Sequence, residues 1–149
     1  MRKRTAKKRE KILTFKVSLS EKLRITREIA LAEGQTLYTL AEAIVDSFDF
    51  AFDHCFGFYD SYGKGIKPTK AYVLFKDIGE ECDPHAKGVK KTTVAEVFTL
   101  DKKLVFLFDY GDGWKFDVEL TATEDPGHNR KYPFLKSKAG KSPEQYTAN

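Results

Sequence analysis

Cysteine is scarce in this chain: Cys55 and Cys82 are the only two in 149 residues. That excludes a scaffold built on disulfides and fits a reducing compartment. The two do not form a C-x-x-C pair, so a redox motif is not indicated either. Long apolar runs are also lacking; none approaches the roughly 20 residues that a membrane helix needs. No apolar segment of the secretory kind follows the basic N-terminus. These absences predict a cytoplasmic protein with no membrane partner. Arginine is nearly missing from the body, with only Arg24 and Arg27 between residues 10 and 129. Methionine and tryptophan occur once each, against twelve Phe and seven Tyr. Such a composition predicts a rigid aromatic core, and the length suits one domain.

Charge of either sign is plentiful but segregated. Residues 1–11 carry seven cationic side chains (Arg2, Lys3, Arg4, Lys7, Lys8, Arg9, Lys11) against Glu10, a net of +6. Residues 126–149 carry a net of +4, and residues 12–125 a net of −6. The folded body is therefore acidic and the basic character belongs to the ends. Low apolar content makes 1–11 a disordered basic arm. We expect an α+β core domain over 12–125 and a basic C-terminal extension over 126–149, partly docked on the core through Tyr132-Pro133-Phe134-Leu135.

Hydrophobic period divides the body. Leu13, Phe15, Val17 and Leu19 alternate with polar residues, as a half-buried strand requires. Ile25, Arg27, Ile29 and Leu31 repeat the pattern with a cation on the apolar side. Its favoured reading is a strand-end arginine whose head reaches water, over an internal ion pair. Thr36 precedes an apolar stripe at Leu37, Leu40, Ala41, Ile44, Val45 and Phe48, which is a capped helix. Further strands are predicted over 53–60, 71–75, 104–110 and 114–120, with a short helix behind Thr93. The 71–75 segment holds no polar residue, so it is expected to be central or well covered. The stretch 76–91 reads as a long irregular loop. The Gly111-Asp112-Gly113 turn supplies positive φ for a tight hairpin. The order β-β-α-β-β-(α)-β-β predicts a single mixed or antiparallel sheet of about five to six strands packed on one main helix.

The richest stretch for chemistry is Phe108-Asp109-Tyr110-Gly111-Asp112-Gly113-Trp114, with His54-Cys55-Phe56-Gly57-Phe58 upstream. Asp109 and Asp112 beside His54 make a candidate acid/base or metal site. The competing reading has Asp112 in a turn and Asp109 bonded to backbone or to Arg27. His54, Cys55, Cys82 and His85 offer zinc-ligand types, but adjacent residues on a strand face opposite ways. Trp114 is in phase with apolar neighbours and reads as core. The residues therefore assign no catalytic role, no cofactor and no metal.

Together with Ile25-Thr26-Arg27-Glu28-Ile29, Gln35-Thr36-Leu37, Phe48-Asp49-Phe50, Tyr132-Pro133 and Ser142-Pro143-Glu144-Gln145-Tyr146, these motifs resemble the plasmid pRiA4b open-reading-frame-three family. The resemblance covers about residues 12–146. It implies an uncharacterised family in which His54, Asp109, Tyr110, Gly111, Asp112 and Trp114 are motif residues of unknown role. Where many members carry His this chain has Phe116, and where many carry Pro it has Ser142. Some members bear the label resolvase. Here Ser18 and Ser20 have only Arg24 and Arg27 near them in sequence, too thin a set for recombinase chemistry. The sequence points first to a non-enzymatic binding module contacting DNA or RNA non-specifically through the arm. The alternative is a protein-interaction adaptor using the acidic body and the 76–91 loop. A metal-dependent hydrolase comes third.

Overall fold

The computed structural model describes residues 10–63, 65, 67–127 and 130–146. Of the arm's cations, Arg2, Lys3, Arg4, Lys7, Lys8 and Arg9 lie outside the described residues, and Lys11 lies within them. Along the chain run β1 (Ile12–Leu19), β2 (Lys22–Ala32), α1 (Leu37–Ser47), β3 (Phe56–Tyr59), β4 (Ala71–Val73), α2 (Leu74–Asp77), β5 (Lys87–Gly88), α3 (Val94–Val97), β6 (Lys103–Phe108), β7 (Trp114–Glu124) and β8 (Phe134–Ala139). Eight strands form one sheet in the order β5-β4-β3-β6-β7-β1-β2-β8. Every neighbouring pair is antiparallel except β4 with β5.

This corrects the expected architecture of five to six strands on one main helix. Over the described residues the protein is mostly sheet, mixed and eight-stranded, with three short helices. The two unforeseen strands are both edges. β5 has two residues, too few to show any period. In β8, five of six residues are exposed, so backbone pairing with β2 rather than an apolar face defines it. The 71–75 segment was expected to be central or well covered. It yields a strand of three residues next to the β5 edge and then turns into α2.

The helix reading holds for a visible reason. Thr36 Oγ1 accepts the Thr39 N–H at 3.2 Å. At the far end Asp49 takes φ 60°, while its N–H reaches Asp46 O and that of Phe50 reaches Val45 O. That is a Schellman-type stop with aspartate in the left-handed position. The apolar stripe of α1 rests on Leu13, Phe15, Val17, Ile29, Phe106, Phe116 and Val118 in one core. Residues 89–98 extend that layer through Val89, Val94, Val97 and Phe98.

The other face of β3, β4 and β6 carries a second, smaller cluster of Tyr59, Val73, Ala86 and Leu107. The 76–91 stretch covers it and is anchored, not loose. Asp77 accepts the Val89 and Lys90 N–H groups at 2.7 and 3.1 Å, and Val89 is fully buried.

Arg27 departs from its favoured reading. Its head does not reach water; the residue is 2% exposed. Nε donates to Ser47 O at 2.8 Å, NH1 to Thr26, Ala139 and Gly140 carbonyls, and NH2 to Ser142 Oγ at 2.7 Å. The guanidinium also sits 4.5 Å from the Phe48 ring centroid. It thus caps the last carbonyl of α1, that of Ser47, where a cation is favourable, and ties the C-terminal tail to the core.

Candidate functional site

The site grows out of the β6–β7 turn. Asp109 adopts φ 64° and Gly113 φ 70°; Gly111 is not in the left-handed region, which corrects its assigned part in the turn. Aspartate tolerates that conformation because its short side chain bonds the local backbone. Asp109 Oδ1 accepts from Gly111 N at 3.1 Å and Asp112 N at 3.3 Å, and its carbonyl accepts from Gly113 N. The Asp109 N–H in turn reaches Cys55 O at 2.9 Å, joining the turn to the non-strand segment that carries His54 into β3, which is confined to Phe56–Tyr59 and not the expected 53–60. Bonding to backbone, and not to Arg27, is how this 7% exposed carboxylate is satisfied.

The second oxygen of Asp109 lies 3.4 Å from His54 Nε2. Around that nitrogen converge Asp53 Oδ1 at 3.6 Å and the Tyr146 hydroxyl at 2.7 Å. Tyr146 donates its one proton to Asp53 Oδ2 at 2.7 Å, so the 2.7 Å bond to His54 needs a proton on Nε2. Gln145 fixes the tail from the other side. Its amide accepts from Ala51 N at 2.7 Å and donates to Ala51 O at 3.1 Å, pairing as a strand would.

The sequence named His54 and Asp109 as candidates and left open whether they meet; the structure brings them together. Sequence reasoning missed Asp53 as a partner and missed what Gln145 and Tyr146 do. The only signal for the latter was the tail motif itself. Asp112 is exposed, lends the turn its N–H, and stands at the rim of a neighbouring cleft of about 510 Å³ with Glu21, Trp114, Glu144 and Tyr146. Tyr110 turns to the opposite face, where its hydroxyl meets that of Tyr59 at 2.6 Å. Burial pushes the Tyr110 phenol far above its ordinary pKa, so it stays protonated. Trp114 packs on Phe50 at 4.8 Å, and its buried Nε1 has no partner among the described residues. Phe116, where many resembling sequences carry His, points into the core and is fully buried.

Chemically the cluster is a latch between tail and body. The hydrogen bond from Tyr146 holds the Asp53 carboxyl below its usual range. The same bond pushes the Tyr146 phenol up to about 12. Asp53's contribution to tail docking is complete above its ordinary pKa of about 4 and is lost as pH falls through the lowered value. That of Tyr146 is complete below about 10 and is lost as pH rises through the raised value. In Tyr146→Phe the Asp53 carboxyl is expected to return toward the ordinary range in a carbon-13 NMR titration. An Asp53 titration that does not move rules the latch out.

Among the described residues no three His, Cys, Asp or Glu side chains are placed to hold one metal ion. Cys55 is half-buried, and burial raises its thiol pKa, which lowers its reactivity. No helix among the described residues is long and apolar enough to cross a membrane.

Comparison with known proteins agrees with this frame. The fold is similar to that of the protein of unknown function MM3350 from Methanosarcina mazei Go1, with a TM-score of 0.73 and 21% identity. The alignment covers 90% of this chain and 72% of that one. At that identity the likeness concerns the fold alone. No curated protein matches the chain. The family described as plasmid pRiA4b ORF-3-like protein matches residues 11–146, which takes in the β6–β7 turn, His54 and the tail latch. This chain belongs to the plasmid pRiA4b ORF-3-like family.

Proposed function

We propose that the protein is a non-enzymatic binding module that contacts nucleic acid non-specifically through its basic N-terminal arm, residues Arg2 to Lys11. The observation that carries this reading is the segregation of charge, +6 over residues 1–11 against −6 over 12–125. Phosphate neutralisation by such an arm releases counterions and needs no base readout.

The arm's root adds support. Glu10 accepts the Gly34 N–H at 2.8 Å, and the Lys11 amine pairs with Asp125 at 2.7 Å. Ile12 lines one small hollow with Arg130 and Lys136 of the basic C-terminal region. Arg130 and Lys136 thus lie close to the residue where β1 begins, so cations far apart in sequence meet at one corner of the sheet. The acidic body would hold phosphates away from its other surfaces.

Fluorescence anisotropy of labelled duplex DNA and single-stranded RNA tests the reading across a salt series. The full chain is compared with a full-length variant carrying Gln at Arg2, Lys3, Arg4, Lys7, Lys8 and Arg9. With about five phosphates engaged, affinity should drop roughly 10²- to 10³-fold between 50 and 200 mM salt. The Gln variant should lose binding and the salt slope together. Equal binding by both proteins, or none by the full chain at low salt, overturns the arm as a nucleic-acid contact.

A further inference from the structure

One helix cannot cover this sheet. Eight strands span on the order of 35 Å, whereas a helix is about 10 Å across. On one flank of α1 the 89–98 segment fills in, through backbone bonds from Leu37 to Thr92 and Tyr38 to Val89. Toward β8 nothing among the described residues does, and a groove of about 460 Å³ remains. Its apolar lining comes from Ile29, Ala43, Phe50, Phe52, Pro133 and Leu135. Leu135 is 41% exposed, a large apolar side chain left in water at the rim.

The helix side of the groove carries Glu42 and Asp46. Both are exposed, and at i, i+4 they stand side by side about 6 Å apart. Neither has an ion-pair partner among the described residues, and no Lys or Arg lines the groove. The floor is fixed in place: Arg27 bonds Ser47 O beneath it, and β8 pairs with β2 so that Leu135 stands opposite Ile29. An apolar trough with a preset, unpaired acidic edge fits a segment that brings apolar side chains and cations on adjoining faces.

We infer that the groove between α1 and β8 is a docking site for a basic amphipathic peptide segment of a partner protein, whose apolar residues fill the trough while its Lys or Arg pair with Glu42 and Asp46. The partner's charge is fixed by complementarity with this edge. The site is separate from the arm and does not depend on nucleic-acid contact.

The test uses the full chain and three 14-residue synthetic peptides: Leu/Lys amphipathic, the same with Glu for Lys, and the same with Ser for Leu. Amide chemical shifts of the labelled protein map the contact. The Leu/Lys peptide is expected to bind and to move residues 39–47 and 134–135. The Glu and Ser peptides should not saturate. The double variant Glu42→Lys, Asp46→Lys should weaken binding at least about tenfold. Leu135→Asp tests the apolar half at a second exposed position and should weaken it too, because it replaces the apolar rim. The inference is overturned by no binding of the Leu/Lys peptide; by shifts centred elsewhere, such as the Glu21/Asp112/Glu144 cleft; by binding undiminished in both groove variants; or by tighter peptide binding by the Gln-substituted arm variant, which would make the chain's own arm the occupant. Sedimentation equilibrium covers the remaining occupant. A dimer abolished by Leu135→Asp would assign the groove to a second copy and also overturn it.

Discussion

Arg27→Ala is expected to lower stability by about 3–5 kcal/mol, the order expected when several buried carbonyls lose a charged donor together. For a chain of this size the melting temperature should fall by roughly 10 °C. The cost has three sources. The carbonyls of Ser47, Ala139 and Gly140 lose a donor in a 2% exposed setting. The Phe48 ring loses the guanidinium 4.5 Å from its centroid. A void opens beneath the α1 terminus.

Burial lowers the Arg27 pKa, with Asp49 opposing, yet a guanidinium stays charged at neutral pH. Arg27→Met separates these sources, since it keeps most of the packing and removes the donors. It should still cost more than half as much. Arg27→Ala should also free the tail, because the bond to Ser142 Oγ sits three residues before Gln145. His54 and Asp53 resonances should then shift as they do in Tyr146→Phe. A melting temperature within about 2 °C of wild type, with the tail still docked, would falsify the clamp.

Phe116→Ala is expected to cost about 3–5 kcal/mol, the usual range for a fully buried Phe. Phe116 is 0% exposed and its ring centroid lies 4.8 Å from Phe48, 5.8 Å from Phe106 and 6.5 Å from Phe50. Loss of the ring removes contacts with α1, with β6 and with the segment leaving α1 at once, so little can collapse into the space. Urea unfolding should show the midpoint fall with the slope unchanged. Phe116→Leu, which keeps most of the volume, should recover most of the loss. A midpoint unmoved by alanine would mean that the aromatic layer packs more loosely than these distances imply.

Some features were legible because local chemistry alone decides them. The alternation from Leu13 to Leu19 marks β1, which folds over Ile12–Leu19, although Thr14 and Ser18 on its polar face are buried too, so the strand is an inner one and not half-buried. α1 has both its Thr36 cap and its stripe in the sequence, and α3 its Thr93/Glu96 capping box. Edge strands escaped because their residues need not be apolar on either face. β8 holds Lys136 and Lys138 where an inner strand would hold Val or Ile. Arg27 was misjudged because neither solution read for a cation on an apolar stripe, a head in water or an ion pair, applies: the carbonyls of Ser47, Ala139 and Gly140, brought around it only by the fold, take its donors.

Gly57 shows the same limit. A side chain there would place Cβ 2.8 Å from the Tyr110 hydroxyl and 2.9 Å from Val73, which no strand pattern reveals. The site divides likewise. Asp109, Gly113 and the turn are local, whereas the meeting of His54, Asp53 and Tyr146 needs a tail 92 residues downstream of His54 to return.

By itself the sequence determined the aromatic core, the hairpins, the capped helix, the segregated charge and the family, all consequences of residue type and short spacing. Only the tertiary structure decided the eight-strand order, the burial of Arg27, the latch at His54 and the open groove beside α1. Those depend on backbone pairing and on which surfaces one helix leaves uncovered, and contacts between distant segments leave no period in the chain.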